Sequence, residues 1–150
     1  MISRWSGDLL DSDAQALVNT VNTAGVMGKG LALQFKHAFP ENFESYAAAC
    51  SRGEVRLGEM FVVPLLEPSA TRYVVNFPTK AHWRSKSKLI DVVTGLEALI
   101  DVLDDLHIES IAIPPLGCGL GGLQWSDVEP LIEQLLGPLD VDVRIYPPVS

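Results

Sequence analysis

The chain has 150 residues, of which 47% are hydrophobic and 20% charged, and its formal net charge is −8 at pH 7. These values are typical of one compact α/β domain that buries a core without disulfides or metals. The excess of acid argues against a general nucleic-acid binder, because phosphate contacts need local cations. No apolar run approaches the roughly 20 residues of a transmembrane helix, and the first residues do not form a signal peptide, so no membrane segment is expected.

The cysteines and histidines are few and dispersed. Cys50 and Cys118 are too few for a disulfide framework, and neither has the spacing of a metal ligand. We therefore expect no metal site, no cofactor and a reducing, cytoplasmic location.

Strands and helices alternate along the chain. Short apolar or β-branched runs predict strands, and apolar residues at helical spacing predict helices. In chain order, the predicted elements are strands at 2–5 and 16–21, a helix from Gly30 that Pro40 ends, a helix at 41–50 followed by Gly53, strands at 60–65 and 72–77 around a turn at 67–70, a helix at 89–106, a strand at 108–113, a helix at 125–136 and a strand at 141–146. This order predicts a three-layer α/β/α sandwich on a central mixed six-stranded sheet, in which the strands at 60–65 and 72–77 are antiparallel.

Four aromatic or imidazole side chains outside the motifs also have expected positions. Trp5 and Trp125 are expected in the core, and His37 and His107 on exposed helix surfaces.

Two glycine-rich segments carry most of the functional information. The first glycine loop, residues 25–30, and the second, residues 117–122, hold seven of the twelve glycines. Each follows a predicted strand and precedes a predicted helix. Glycines there let backbone N–H groups approach a ligand closely, and helix N-termini favour anions. The pair therefore predicts a cleft with a diphosphate held between two loops, rather than two ordinary tight turns.

Neither loop matches a common nucleotide motif. The spacing of both differs from the GxGxxG of dinucleotide-binding folds, and Gly28-Lys29 is followed by glycine where a P-loop has serine or threonine. The diphosphate ligand must belong to another class.

A cluster of cations interrupts the acidic composition. Lys80, Arg84, Lys86 and Lys88 place four of the eleven basic residues within nine positions, which we call the basic segment (residues 80–88). Lys80 follows a predicted strand end, where ligands bind in open α/β sheets. A lysine that acts as nucleophile or base must lose its proton, and the neighbouring cations would lower its pKa.

Several of these segments together resemble macrodomains, which bind ADP-ribose. They are Gly7-Asp8-Leu9-Leu10, residues 17–22, Met27-Gly28-Lys29-Gly30-Leu31-Ala32 and Pro115-Leu116-Gly117-Cys118-Gly119. The match runs in order through essentially the whole chain and implies the macrodomain fold.

Within macrodomains, two further segments are most similar to the DarG antitoxin macrodomains. They are residues 76–84 and Gly121-Gly122-Leu123-Gln124-Trp125. The resemblance implies a DNA ADP-ribosyl glycohydrolase that removes ADP-ribose from thymidine in single-stranded DNA and so reverses the toxin DarT. It also implies that residues 1–150 are one macrodomain of a longer antitoxin, whose C-terminal domain binds DarT, and a monomer is expected.

The resemblance implies a role for each site residue. Lys80 would be catalytic, with hydrolysis of the N-glycosidic bond needing no metal. The residues implied to bind ADP-ribose are Asp8, Leu9, Thr20, Val21, Asn22, Met27, Gly28, Lys29, Gly30, Leu31, Ala32, Leu33, Gln34, Thr79, Gly117, Cys118, Gly119, Leu120, Gly121 and Tyr146. Those implied to contact DNA are His82, Trp83, Arg84, Lys86 and Lys88.

Alternatives stay open for several residues and for the activity. Asp8 can cap a turn, Asn22 can satisfy backbone groups, and Trp83 can be half-buried instead of stacking on a base. Lys80 can attack the anomeric carbon as an amine or act as acid or base. The chain could instead be a reader that binds ADP-ribose without cleaving it, or a hydrolase of ADP-ribosylated glutamate. The glutamate-specific relatives carry an aspartate where this chain has Gly121, which favours DNA as the substrate.

Overall fold

The computed structural model describes residues 1–67 and 69–149, so Pro68 of the predicted turn and Ser150 lie outside the described residues. The strands are β1 (Ile2–Arg4), β2 (Ala16–Asn22), β3 (Phe61–Pro64), β4 (Tyr73–Lys80), β5 (Ser110–Ile113) and β6 (Asp142–Ile145). The helices are a 3-10 helix (Leu9–Asp11), α1 (Gly30–Ala38), α2 (Pro40–Ser51), α3 (Leu89–Asp105) and α4 (Trp125–Leu136). The predicted elements are therefore confirmed, with shifts of a few residues at their ends.

The six strands form one mixed sheet in the order β1-β6-β5-β2-β4-β3. All neighbours are parallel except β3, which runs antiparallel to β4 as predicted. Because β5, β2 and β4 are adjacent and parallel, their carboxyl ends meet at one edge of the sheet.

Successive side chains of the strands alternate between two helical layers. In β2, Ala16 and Val18 pack with α3 and α4, whereas Leu17 packs on the opposite side with Phe35 of α1. Pro40 opens α2, since a proline at the first helical position loses no hydrogen bond that the helix would otherwise make. The predicted α/β/α sandwich is confirmed. No helix within residues 1–67 and 69–149 combines the length and apolar composition needed to cross a membrane.

Three buried amides join the sheet to α2. The side chains of Asn42 and Asn76 exchange two hydrogen bonds, of 2.8 and 3.2 Å, and Asn19 donates to Asn76 Oδ1 at 3.4 Å. Fully buried amides need partners. The pairing therefore fixes the position of α2 relative to β2 and β4.

Three predictions about individual residues were wrong or incomplete. Trp5 is 43% exposed and lies beside the guanidinium of Arg144, 4.8 Å from its ring centre, instead of in the core. His107 is exposed as expected, but it follows α3 in a turn with φ 53° rather than lying on the helix. The strand at 72–77 continues to Lys80: Val21 pairs with Pro78 and Asn22 with Lys80, so Thr79 is the extra residue of a bulge in β4.

Candidate functional site

A cleft with a volume of about 720 Å³ opens beyond the carboxyl ends of β2, β4 and β5. This is within the range of small-molecule sites. The cleft is lined by Thr20, Val21, Asn22, Val26, Gly28, Lys29, Gly30, Leu31, Ala32, Thr79, Lys80, Trp83, Arg84, Pro114, Pro115, Gly117, Gly119, Leu120 and Gly121. Both glycine loops and the start of the basic segment therefore face the same space.

The first glycine loop is built around the side chain of Asn22. Its Oδ1 accepts hydrogen bonds from the backbone N–H groups of Ala24, Gly25 and Val26 at 3.0, 3.1 and 3.3 Å, and its Nδ2 donates to Val26 O at 2.9 Å. The buried hydroxyl of Tyr46 lies 3.0 Å from Asn22 Oδ1 and 2.7 Å from its carbonyl oxygen. Burial raises the pKa of Tyr46, so the hydroxyl keeps its proton and remains a donor.

The first glycine loop leads directly into α1. Gly30 has φ 59°, in the left-handed region that favours glycine. Within the described part of the chain, the Lys29 side chain makes no capping hydrogen bond to the helix. The first residues of α1, Gly30, Leu31 and Ala32, line the cleft, so the positive end of the helix dipole lies beside it and suits an anion.

The second glycine loop is built by its own backbone. Leu123 N–H donates to Gly117 O at 2.9 Å and Gly122 N–H donates to Gly119 O at 3.2 Å. A Cβ at Gly121 would lie 2.5 Å from Gly117 O, whereas a Cβ at Gly119 would meet nothing within 4 Å. The loop therefore requires glycine at 121 for its own packing, and it leaves open space at 119.

Lys80 lies at the end of β4, between the two glycine loops. Its Nζ donates to the carbonyl oxygen of Trp83 at 3.0 Å. Burial lowers its pKa, in contrast to the expectation that Arg84 and Lys86 would do so. The salt bridges among the described residues are formed by Arg4, Arg52, Arg56 and Arg144, so the amine has no carboxylate to stabilise its charged form.

Trp83 lies at the rim of the cleft. Its side chain is 42% exposed, its ring stacks with His82 at 4.9 Å between centres, and the Arg84 guanidinium lies 4.3 Å from its ring centre. Lys86 and Lys88 are exposed nearby in sequence but do not line the cleft. An aromatic ring among cations is a suitable surface for a nucleobase attached to a phosphate backbone.

A second cavity, of about 440 Å³, adjoins the first and shares Leu31, Pro114 and Pro115 with it. Asp8 lines this cavity and also caps the 3-10 helix, since its Oδ1 accepts from Leu10 N–H at 3.0 Å. Gly7, Leu9, Gln34, Tyr146, Pro147, Pro148 and Val149 complete the wall. The two cavities therefore adjoin at Leu31, Pro114 and Pro115.

Comparison with known proteins identifies this architecture. The model of the Macro domain family matches residues 18–132, which is most of the chain. This chain is a macrodomain. It is 54% identical to the DNA ADP-ribosyl glycohydrolase of Mycobacterium tuberculosis over 149 residues, which are 99% of this chain and 42% of that protein. The chain therefore spans about two fifths of the length of the curated relative.

Two solved structures have the same fold. The macrodomain of Mycobacterium tuberculosis DarG superposes with a TM-score of 0.98 at 54% identity, with 99% of both chains covered. The Thermosipho africanus DarTG in complex with ADP-ribose superposes with a TM-score of 0.94 at 36% identity, covering 99% of this macrodomain and 42% of that chain.

The structure brings most of the predicted site residues to the two cavities. The ligand residues that line the larger one are Thr20, Val21, Asn22, Gly28, Lys29, Gly30, Leu31, Ala32, Thr79, Gly117, Gly119, Leu120 and Gly121. Asp8, Leu9, Gln34 and Tyr146 line the smaller one. Met27, Leu33 and Cys118 line neither. The Met27 side chain is 2% exposed and packs in the core beside Asn19 Nδ2, and Cys118 packs against the core as well.

Sequence reasoning missed several residues that form or support this macrodomain's site. Pro114 was not singled out for the site and Pro115 was noted only within the macrodomain motif, although both line the two cavities, as do Val26 in the larger one and residues 147–149 in the smaller one. Tyr46, which braces Asn22, and Ser87, which lies behind the second glycine loop, were not singled out. Neither has a sequence signal, since each acts through contacts with distant segments.

Proposed function

We propose that this macrodomain removes ADP-ribose from thymidine in single-stranded DNA, with Lys80 as the catalytic residue. The observation that carries the proposal is the position of the Lys80 amine. It lies in the larger cavity between two loops suited to a diphosphate, beside an exposed tryptophan and arginine. The similarity to the DNA ADP-ribosyl glycohydrolase of Mycobacterium tuberculosis supports the same activity.

The two cavities match the two ends of ADP-ribose. We expect the adenine in the smaller cavity, with its amino group near Asp8 and its ring near Tyr146. The diphosphate would cross the shared wall toward the N-terminus of α1, where Lys29 adds positive charge. The distal ribose would then lie near Lys80. The similar Thermosipho africanus DarTG forms a complex with ADP-ribose, which supports ADP-ribose as the ligand.

Asn22 has a more limited role in this proposal than the resemblance implies. Its side-chain oxygen already faces three backbone N–H groups and the Tyr46 hydroxyl. Asn22 would therefore shape the loop that surrounds the ribose, and any contact with the ribose itself would be additional.

Two routes use the Lys80 amine. In the first, the neutral amine attacks the anomeric carbon of the distal ribose and the bond from that carbon to thymine breaks, with one amine proton passing to the thymine nitrogen. The ribose ring then opens to a Schiff base as the second amine proton passes to the ring oxygen, and water hydrolyses the Schiff base to release ADP-ribose and the amine. In the second, Lys80 transfers a proton to the departing thymine or from a ribose hydroxyl. The Trp83 carbonyl orients the amine in both.

The glutamate-directed alternative is less well supported. It relies on an acidic group in the second glycine loop at position 121. Any side chain there would collide with Gly117 O and with Ser87. A reader that only binds ADP-ribose is disfavoured by the half-buried, carboxylate-free lysine in the cleft.

The decisive experiment compares two substrates and one variant. Wild-type protein is incubated with single-stranded DNA carrying ADP-ribosylated thymidine and, separately, with protein carrying ADP-ribosylated glutamate, and released ADP-ribose is quantified. We expect release from DNA, and loss of that release by about 10²-fold or more in Lys80→Ala. Lys80→Ala should still bind ADP-ribose in calorimetry, because the backbone holds the diphosphate.

Three outcomes would overturn parts of the proposal. Release only from modified protein would replace DNA by glutamate as the substrate. Binding without release from either substrate would make the domain a reader. Wild-type turnover by Lys80→Ala would remove Lys80 from the reaction.

The pH dependence of kcat/KM separates a neutral Lys80 amine, which acts as nucleophile or base, from a charged one, which acts as acid. Burial lowers the pKa of Lys80, so its neutral form is populated at lower pH than that of a solvated lysine. If the neutral amine attacks the ribose or takes a hydroxyl proton, kcat/KM rises with pH through a pKa below the ordinary lysine value and then levels off. If the ammonium group is the acid, kcat/KM falls through the same pKa. A profile that shows no ionisation below the ordinary lysine value would contradict both.

The wider role is a proposal for the full-length protein. As an antitoxin, it would reverse the modification made by a DarT-type toxin and would contact that toxin through a domain beyond this macrodomain. We propose a monomeric, cytoplasmic, metal- and cofactor-independent domain. Sedimentation of the purified domain tests whether it is a monomer. Turnover that is unchanged by a chelator would support independence from metals.

A further inference from the structure

Ser87 lies behind the second glycine loop and outside the wall of the cleft. Ser87 is 7% exposed, and its backbone N–H donates to Gly121 O at 3.0 Å. It follows the basic segment's Trp83 and Arg84 by three to four positions and precedes α3, which begins at Leu89. Ser87 thus links the basic segment to the second glycine loop, and the Lys86 side chain lies beside the same loop at Gly122.

The Ser87 side chain fills the space that side chains of the loop would otherwise occupy. A Cβ at Gly121 would lie 2.3 Å from Ser87 Oγ and 2.9 Å from Ser87 Cβ, and a Cβ at Gly117 would lie 3.1 Å from Ser87 Cβ. Two glycines of the loop therefore rest on one small side chain. A side chain larger than serine at position 87 is therefore expected to press against the loop.

The hydroxyl of Ser87 does not explain why a serine is there. Among the residues that the structure describes, Ser87 Oγ is buried and has no hydrogen-bond partner. A buried hydroxyl without a partner carries a desolvation cost that an alanine at the same position would not. The size of the side chain, rather than its polarity, is what the loop contacts use.

We propose that Ser87 is a positioning residue, on which the second glycine loop rests and which sets the distance from that loop to Trp83 and Arg84. The loop would hold the diphosphate, and the basic segment would hold the DNA attached to the distal ribose. Only the identity of this substrate rests on the proposed function. Ser87 acts through the loop, while Lys80 on β4 carries out the chemistry.

The test is a series of side chains of increasing size at position 87. Ser87→Ala, Ser87→Cys and Ser87→Thr are compared with the matched control Ser85→Thr, because Ser85 lies in the same segment but makes no contact beneath the loop. Each variant is measured for ADP-ribose affinity by calorimetry, for kcat and KM on ADP-ribosylated single-stranded DNA, and for melting temperature.

We expect the affinity for ADP-ribose to fall about tenfold in Ser87→Thr, because the added methyl group must displace the loop. KM should rise by a similar factor while kcat stays within about twofold. Ser87→Cys should show a smaller loss, which also covers the case in which Ser87→Thr does not fold. Ser85→Thr should match the wild type, and Ser87→Ala should lose less affinity than Ser87→Thr and melt no lower than the wild type, because its unpartnered hydroxyl is gone.

The outcomes that would overturn the inference are distinct from those that test the activity. A lower melting temperature for Ser87→Cys and Ser87→Thr with wild-type affinity and KM would make Ser87 an ordinary packing residue. A loss in Ser87→Ala equal to that in Ser87→Thr would make the hydroxyl the functional group. If the wild type does not hydrolyse modified DNA, the proposed function fails, and the affinity series still decides the role of Ser87.

Discussion

The two glycine loops face the same cleft but are supported in different ways. The first is held by the side chain of Asn22. Its Oδ1 accepts hydrogen bonds from three backbone N–H groups and from the Tyr46 hydroxyl. The second is held by backbone hydrogen bonds within the loop and by steric contact with Ser87. Two loops of similar glycine-rich composition are therefore stabilised by different interactions, and different substitutions should disrupt each of them.

The difference predicts how each loop fails. The first loop should lose its shape when a hydrogen-bonding atom is removed, since several N–H groups then lose their acceptor together. The second should lose its shape when an atom is added, since its glycines are already in contact with their neighbours.

Asn22→Ala should have the largest effect on the protein's stability. It leaves the N–H groups of Ala24, Gly25 and Val26 without an acceptor, and we expect a loss of about 3 kcal/mol in the free energy of unfolding. Tyr46→Phe, which removes only the hydroxyl that contacts Asn22, should lower the free energy of unfolding by about 1 kcal/mol. Urea denaturation of both variants checks the ratio. Equal losses would mean that the hydrogen bonds to the Asn22 side chain do not stabilise the first glycine loop.

Gly121→Ala should destabilise the protein by about 2 kcal/mol, because the new methyl group meets Ser87 Oγ and Gly117 O. Gly119→Ala is the matched control, since its methyl group enters open space and should leave the melting temperature within about a degree. If both variants melt alike, the second loop is flexible enough to absorb the contact, and the steric half of the comparison is wrong.

Gly119→Val should separate binding from folding. Its Cβ would meet no described atom within 4 Å, so we expect stability to be retained. The same side chain would occupy space needed by the diphosphate, and we expect the binding free energy of ADP-ribose to weaken by about 1–2 kcal/mol. Calorimetry beside a thermal melt tests both statements. Wild-type affinity would place the diphosphate away from the second loop.

Replacing Arg84, Lys86 and Lys88 together by serine should have the smallest effect, and one that depends on salt. KM for ADP-ribosylated DNA should rise several-fold at low salt and approach the wild-type value as salt increases, because fewer counterions are released on binding. Free ADP-ribose should bind as before, since both loops are intact. Impaired hydrolysis of modified protein with unaffected DNA turnover would favour the glutamate-directed alternative.

The sequence predicted the fold and the position of the site more completely than the contacts that hold its loops in place. Strands, helices and the strand-end glycine loops follow from local patterns, and the resemblance to macrodomains adds their order around the cleft. The contacts that hold the loops cannot be read from local patterns. Tyr46 contacts Asn22, and Ser87 contacts Gly121, from segments that are distant in the chain. Met27 was placed in the site by its motif, but its apolar side chain packs beneath the loop.

The exposure of Trp5 has a similar explanation. A tryptophan at the end of a strand is usually buried, but β1 is an edge strand that pairs only with β6. Arg144 and Tyr146 next to it provide partners for the ring at the surface. Position within the sheet, which the sequence did not reveal, decides the exposure.

Leu31, Pro114 and Pro115 line both cavities and lie where the two compartments of the site adjoin. Prolines carry no N–H group, so these two residues offer no main-chain donor, and most groups that could anchor a ligand lie to either side of them. ADP-ribose would then behave as a bivalent ligand, in which anchoring one end raises the effective concentration of the other. AMP or ribose 5-phosphate alone would engage a single compartment and lose this avidity, so the domain would discriminate by molecular length against the far more abundant mononucleotides of a cell.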